Sequence, residues 1–440
     1  MSDKKMVVND NLVNLVSGLG TGRAKSAHSH FVEQRYDDYT LLTTYRQNWL
    51  AAKIVDIPAQ DATREWRAWQ AENAEIDKIE KLERQFGLQG KVQQALQLSR
   101  LYGGAAIYIG TNSSNPSLPL NVEREKIKYL TVISRRELSA SEIDNDIASE
   151  YFGQPAWYDL ITQATMIRIH PSRLVRFVGK SIPESFGIGY GYEQGWGDSV
   201  LVGCMAPLLR TESTMANAGE LIFESQVSVM KVPDLMSQVG DADYRKSVLD
   251  MVSLQAAGKG ITKMLMIDSA QDYQNHSATF AGVPEIINAF HQEDAGAAGI
   301  PFTRLMGQSP SGLNSTGESD LRNHYDNIKS FQNLEITPRL HKLDEMLIWN
   351  SLGRRPQEVH YNWNNLWYPS AKEQAEIGKT TAETIKILNE TSLFNSDALS
   401  ASAVNLLTER GVVPGLEGAM DEFGSEDEQE GDSALTNNDE

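Results

Sequence analysis

From Glu318 onward, apolar and aromatic residues recur at Leu321, Tyr325, Ile328, Phe331, Leu334, Leu340, Leu343 and Leu347, mostly three or four apart. That period predicts a helix over 318–350, roughly 45 Å long at 1.5 Å per residue. Pro338 lies inside it, removes one backbone donor and predicts a kink. The Gly/Ser/Pro-rich stretch from Gly307 to Gly317 has no strand or helix period of its own. Ser315 and Glu318 stand at capping-box spacing, so the loop runs straight into the helix.

The same reading places helices over 36–69, interrupted at Pro58, and over 75–101, ending at Gly103-Gly104. Strands follow at 105–109, 129–133, 166–169 and 174–178, rich in β-branched and aromatic residues. Two helices, 205–225 and 284–298, bracket an α+β insert of about 55 residues, with Pro284 suited to a first turn. Inside the insert the pattern predicts strand 227–232, helix 244–256, a Gly-Lys-Gly turn and strand 263–267. An aromatic strand at 361–368 and helices at 372–389 and 396–411 complete an α+β, mainly helical chain.

The 440 residues suffice for two or three domains, with ordinary hydrophobic (40%) and charged (22%) content. Net charge is −19. Ten acids and no Lys or Arg fall in 417–440; subtracting them leaves −9 for the body. That tail reads as a separate disordered segment, as does a polar arm over 1–30. An acidic body argues against sequence-reading DNA binding, which uses a basic face. One cysteine, Cys204, excludes an intrachain disulfide framework and a Cys-based zinc site. No apolar run spans a bilayer, so the expectation is a protein made in a reducing cytoplasm with no membrane partner.

Catalytic signatures are missing from the sequence. Gly187-Ile188-Gly189-Tyr190-Gly191 lacks the third glycine of a dinucleotide fingerprint, and the 307–317 loop lacks the Gly-Lys-Ser/Thr of a phosphate cradle. His291, Glu293 and Asp294 do not complete a metal set. No catalytic residue, cofactor or metal is expected, although a site assembled from distant residues leaves no mark in spacing.

Three segments carry a family resemblance. They are Ile300-Pro301-Phe302-Thr303-Arg304-Leu305-Met306-Gly307 running on to Asp320; His170-Pro171-Ser172-Arg173-Leu174 with Gly195-Trp196-Gly197-Asp198-Ser199; and Asn362-Trp363 to Trp367 with Ser370-Ala371-Lys372-Glu373-Gln374-Ala375. Over roughly 35–410 the chain resembles the portal proteins of tailed bacteriophages.

That resemblance implies a ring, most often of twelve subunits, at one capsid vertex. It divides this chain into a wing (31–204), stem helices (205–225 and 284–299), a clip (226–283), a tunnel loop (300–317), a long kinked helix with a returning wing strand (318–370) and crown helices (371–416). The loop tip, Gln308, Ser309, Pro310, Ser311, Gly312, Leu313, Asn314 and Ser315, would touch double-stranded DNA without reading its sequence. Implied partners are the terminase large subunit, the head–tail connector, the major capsid protein and a scaffolding protein. Implied location is the virion, after assembly in the host cytoplasm. Glu212, Glu220, Glu224, Glu293 and Asp294 are candidates for an acidic channel wall or, equally, for the solvated outer face of a ring. The alternatives are another phage head component and an enzyme.

Overall fold

A computed structural model describes residues 36–161, 165–181, 195–224, 228–231, 240–261, 272–275, 282–307, 317–367 and 371–391, with a few beyond. It divides into two compact units, 1–364 and 365–440.

The first unit opens with helices α1 (Asp38–Gln47) and α2 (Trp49–Arg64). Pro58 does not interrupt α2, contrary to the sequence expectation. The missing proline N–H frees the Ile54 carbonyl, and Arg100 donates from Nη2 to Ile54 O at 2.8 Å and from Nε to Val55 O at 3.0 Å. Burial lowers the Arg100 pKa to about 10. The real break is Asn48, whose side chain accepts from Ala51 N–H and starts α2. The segment predicted as one helix to 101 is likewise two, α3 (Asn73–Phe86) and α4 (Leu88–Tyr102), split at left-handed Gly87. Between α2 and α3 lies β1 (Arg67–Gln70).

Strands β2 (Gly104–Thr111) and β3 (Ile127–Ser134) form an antiparallel pair extended by β7 (Leu174–Val178), in the order β3-β2-β7. A second sheet joins β4 (Leu138–Ala140), β5 (Tyr158–Ile161) and β6 (Met166–Ile169). The four anticipated strands are present; short β4 and β5 were not foreseen. Ala106, Ile133, Tyr158, Ile169, Leu174 and Trp196 close into one core between the sheets.

The segments around 170–174 and 195–199 are structural here. Arg173 is buried and ion-paired to Glu125 at 2.8 Å, while its Nε donates to Leu118 O at 2.7 Å. The Gly179 and Gly197 N–H groups both donate to Gly103 O at 2.9 Å. Trp196 lies so close to Gly104 that an added Cβ would stand 2.2 Å from its ring.

Next come α5 (Leu201–Glu224), β8 (Ser228–Lys231), α6 (Ala242–Ile261), β9 (Asp272–Asn275) and α7 (Val283–Ala298). Helix α6 runs through Gly258-Lys259-Gly260, where the sequence suggested a turn. The strand expected at 263–267 lies outside the described residues; β8 pairs instead with β9. After the short α8 (Phe302–Met306), helix α9 (Glu318–Phe331) passes through a π-helical turn, Gln332–Ile336, into α10 (Thr337–Leu352).

The expected kink is therefore a π-turn with Pro338 in the first turn after it. Buried Gln332 fixes it by donating to Ala62 O at 2.8 Å. The returning β10 (His360–Trp363) pairs antiparallel with β1, Arg67 opposite Trp363. Buried Arg67 pairs with Glu83 and Asp344, each at 2.6 Å, and stacks on Tyr361 at 4.2 Å.

The main helical core collects Leu41, Ile54, Leu101, Leu208, Ala295 and Leu305 from six helices. Burying each large aliphatic side chain there contributes about 2 kcal/mol. The second unit contributes α11 (Ala371–Glu390), close to the predicted span. Most of 396–411 lies outside the described residues.

Candidate functional site

Helix α7 ends at left-handed Gly299, whose N–H bonds back to Gly296 O at 3.2 Å. Pro301 then turns the chain into α8, and Ile300 and Leu305 enter the core against α2. Arg304, on the same short helix, reaches Asp61 of α2. Its Nη2 donates to Oδ1 at 2.8 Å and its Nε to Oδ2 at 3.1 Å. From the other side of the loop, the Nε2 of His324 on α9 lies 3.0 Å from Asp61 Oδ2.

Asp61 is wholly buried. Burial opposes its charge, but the hydrogen bonds from His324 and Arg304 and the Arg304 charge outweigh that and hold the carboxyl below its ordinary range. Lys53 adds a bond from Nζ to Leu305 O at 2.7 Å. Arg64 stacks over Tyr325 at 4.7 Å.

Both flanks of 308–316 thus converge on one face of α2. They also touch each other. Gly317 takes φ +59°, and a Cβ there would stand 2.4 Å from Thr303 Cγ2, so glycine is required on two counts. Gly317 occupies the N-cap position of α9 with no side-chain cap, where the capping-box reading put Ser315. Gln308, Ser309, Pro310, Ser311, Gly312, Leu313, Asn314 and Ser315 lie outside the described residues.

Helices α5 and α7 pack antiparallel. A polar layer crosses between them, where Arg210 pairs with Glu293 and Thr211 Oγ1 donates to Asp294 Oδ2 at 2.7 Å. Glu212, Glu220 and Glu293 are exposed, as expected of acids on a wall or a rim; the Glu224 side chain lies outside the described residues.

Asp294 departs from that group. It is fully buried between the two helices and presents no carboxylate to solvent. The adjacent positions 293 and 294 point about 100° apart on a helix, so one faces out and the other in. Burial pushes the Asp294 carboxyl up, against the Thr211 bond. Its Oδ1 and the Nδ1 of His291 find no hydrogen-bond partner in the protein. His291 Nδ1 sits 3.8 Å from Asp294 Oδ2, and the ring meets Trp49 edge-on at 6.2 Å.

Sequence reasoning missed Asp61, Arg304 and His324, which lie 243 and 263 positions apart along the chain. The one local signal is a charged residue inside the apolar run Ile57-Pro58-Ala59-Gln60-Asp61-Ala62. Among the described residues no group of three or more His, Cys, Asp or Glu could hold a metal, and no helix is long and apolar enough to cross a membrane.

Comparison with known proteins gives the family. The family model described as "Phage portal protein" matches residues 39–387. A protein of Caulobacter sp. (strain RHG1), named anti-CBASS protein Acb1, is 37% identical over 98% of this chain and 72% of its own length. A protein of the same name from Sphingomonas paeninsulae is 34% identical over 93% of this chain and 66% of its own. An uncharacterized Haemophilus influenzae protein is 26% identical, covering 89% of this chain and 88% of its own.

Among solved structures, a chain from the neck of a native GTA particle computed with C12 symmetry superimposes with a TM-score of 0.51 at 13% identity, over 89% of this chain and 97% of that one. One from the neck of an empty GTA particle, computed with C6 symmetry, gives 0.50 at 14% identity, over 83% and 93%. At such identities the likeness is one of fold. The match over 39–387, which takes in the two sheets, the α5–α7 pair and the Asp61-anchored loop base, shows that the chain belongs to the phage portal protein family.

Proposed function

We propose that this chain assembles with copies of itself, twelve by preference, into a closed ring at one vertex of a phage head. Double-stranded DNA is packaged and ejected through its pore. The family match over 39–387 carries the reading, and the fold shared with a C12 neck supports it. In this reading α5 and α7 are the stem, the β8–α6–β9 insert is the clip that docks the terminase and then the connector, and α11 belongs to the crown. The major capsid protein surrounds the ring in the virion, and a scaffolding protein is a further partner during assembly.

The chemistry favours a passive conduit over an enzyme. Phosphate contacts from Lys and Arg would hold DNA with steep salt dependence, whereas a channel must release every base pair it meets. Exposed Glu212 and Glu220, with Glu224, suit a wall that repels the duplex. The loop over 308–316, carried on the Asp61 clamp, is the segment that touches DNA. Negative-stain images of the purified chain test the reading: rings with a central pore are expected, and a monomer under every assembly condition overturns it. Deleting Ser309–Asn314 is expected to spare ring formation and impair packaging; normal packaging by that variant removes the loop assignment.

A second reading rests on the name borne by the relatives at 37% and 34% identity. This chain spans 72% and 66% of those longer proteins, so an anti-CBASS activity could be shared or could belong to what lies beyond the match. Expressing this chain alone and asking whether it counteracts CBASS separates the two.

A further inference from the structure

In the first unit one buried cation faces two buried carboxylates. Arg67 of β1 lies between Glu83 of α3 and Asp344 of α10, and an oxygen of each carboxylate stands 2.6 Å from the same Nη2. The three side chains are 0%, 7% and 9% exposed, so bulk water does not share their field. The rings of Trp66, Trp69 and, from β10, Tyr361 close around the guanidinium at 5.3, 4.7 and 4.2 Å.

The two carboxylates are not equivalent. Glu83 Oε1 accepts from Arg67 Nε at 2.9 Å and from Nη2 at 2.6 Å, and its Oε2 accepts from the Trp66 indole at 3.2 Å. Asp344 Oδ1 has Nη2 beside it but no hydrogen bond. Arg67 Nη1, Trp69 Nε1 and the Tyr361 hydroxyl are likewise buried without a partner in the protein. Burial pushes the Asp344 carboxyl up, Arg67 opposes that, and Glu83 adds to it. Burial, and then Asp344, push the Tyr361 phenol up to about 12, so it adds no charge near neutrality.

With both acids ionised this cluster would hold one unbalanced negative charge away from water. Carboxylates sharing such a site do not both ionise readily. Either a metal cation or a proton could remove the excess. A metal ion would sit against the guanidinium and the unpartnered N–H groups of Arg67 and Trp69, which repel it. A proton needs no room, and it turns Asp344 from an acceptor into a donor.

We propose that the cluster binds one proton in the folded protein, shared by the Glu83–Asp344 pair and resident on Asp344, and that its release loosens β10 from β1. The pair titrates as a unit, and the three donors on Glu83 decide where the proton stays. Strand β10 ends at Trp363, beside the unit boundary at 364, so the strand that loosens is the one by which the chain leaves the first unit. The fastening is strongest below the unfolded carboxyl value near 3.9 and weakens as pH rises through the raised folded value.

Hydrogen exchange at the paired amides of Arg67–Gln70 and His360–Trp363, corrected for intrinsic rate, tests this in the full chain from about pH 5 to 9. Once the proton begins to leave, wild-type opening should rise about tenfold per pH unit. Asp344→Asn has no proton to lose and should show no such rise. Glu83→Gln removes the surplus charge together with good acceptors, so it should open more readily at every pH, again without the rise. Opening of the wild type that is independent of pH, or a rise that persists in Asp344→Asn, overturns the inference. So does protection that grows with sodium or potassium at constant ionic strength, which makes a metal cation the occupant. A direct reading does not depend on how Asp344→Asn folds. In the Asp294→Asn chain, which lacks the other buried carboxyl of raised pKa, the infrared carbonyl band of a protonated carboxyl is expected at about pH 6, and its absence overturns the inference.

Discussion

Asp61 and Asp294 are both helical carboxylates with no solvent exposure, yet the protein treats them oppositely. Asp61 accepts from two nitrogens of Arg304 and lies within hydrogen-bonding distance of His324. Asp294 accepts one hydroxyl, from Thr211, and leaves an oxygen without a partner. The first carboxyl is held below its ordinary range and the second is pushed above it. A buried charge is stable only where cations and donors replace the water it lost. The loop base meets that condition and the α5–α7 layer does not, so the charged form of Asp61 is favoured while that of Asp294 is disfavoured.

The sharpest way to break the contrast is Asp61→Ala. It strands Arg304 and His324 around an emptied position and is expected to cost about 3 kcal/mol, read as a lower urea midpoint. The cost sits at the low end of the range for buried pairs because Arg304 is 32% exposed and can turn to water. Since the folded pKa of Asp61 is depressed, its contribution is present above the unfolded value near 3.9 and is lost as pH falls through the lower folded value. The difference between wild type and Asp61→Asn should therefore shrink below about pH 4.

Gly317→Ala attacks the same region through the backbone. A side chain at φ +59° and a Cβ 2.4 Å from Thr303 Cγ2 together should cost about 1–3 kcal/mol. Adding Thr303→Ala removes the colliding methyl and should recover only the steric part. Full additivity of the two changes in a double-mutant cycle would mean that the loop flanks do not press on each other.

How much of this could be read from the residue order follows from range. Helices 283–298 and 371–390, the 318–352 rod and strands β2, β3, β6 and β7 announce themselves by local period, and each lies near its expected place. Pro58 misled because its rescue, Arg100, comes from another helix. The split at Gly87 needed one left-handed residue inside a continuous apolar pattern, and α6 overran a Gly-Lys-Gly that has no breaker stronger than glycine. Strands β4 and β5 are too short to show alternation. The loop base was half legible: its glycine-rich tip and following helix stand out, whereas the clamp is a meeting of residues more than two hundred positions apart. Asp294 was grouped with exposed acids because adjacent positions point about 100° apart on a helix, but the sequence does not say which of the two faces the partner helix.

At the hairpin the expected effects are smaller and of opposite sign. A raised folded pKa means that the Asp294 site is most stable below the unfolded value near 3.9 and loses stability as pH rises through its folded value. Asp294→Asn keeps an acceptor for Thr211 and abolishes the buried charge. At pH 7 it should be neutral or stabilising by up to about 1 kcal/mol. Melting temperatures from pH 4 to 8 should be flatter than wild type; a destabilised variant with unaltered pH dependence would remove the case for a carboxyl raised by burial.

One turn of contact away, Arg210 and Glu293 form the hairpin's exposed pair, their side chains 40% and 44% accessible. Two half-solvated side chains gain little in high dielectric and lose rotamer freedom in return. Glu293→Ala should cost no more than about 0.5 kcal/mol in the unassembled chain. Raising salt to about 1 M, where screening acts within about 3 Å, should erase even that. The same substitution measured in assembled rings sharpens the comparison further. Glu293 lies on the exposed side of α7. If a neighbouring copy covers it there, the loss grows and ceases to depend on salt, because a desolvated pair is poorly screened. Equal, salt-sensitive losses in both states would leave this face of α7 open to solvent.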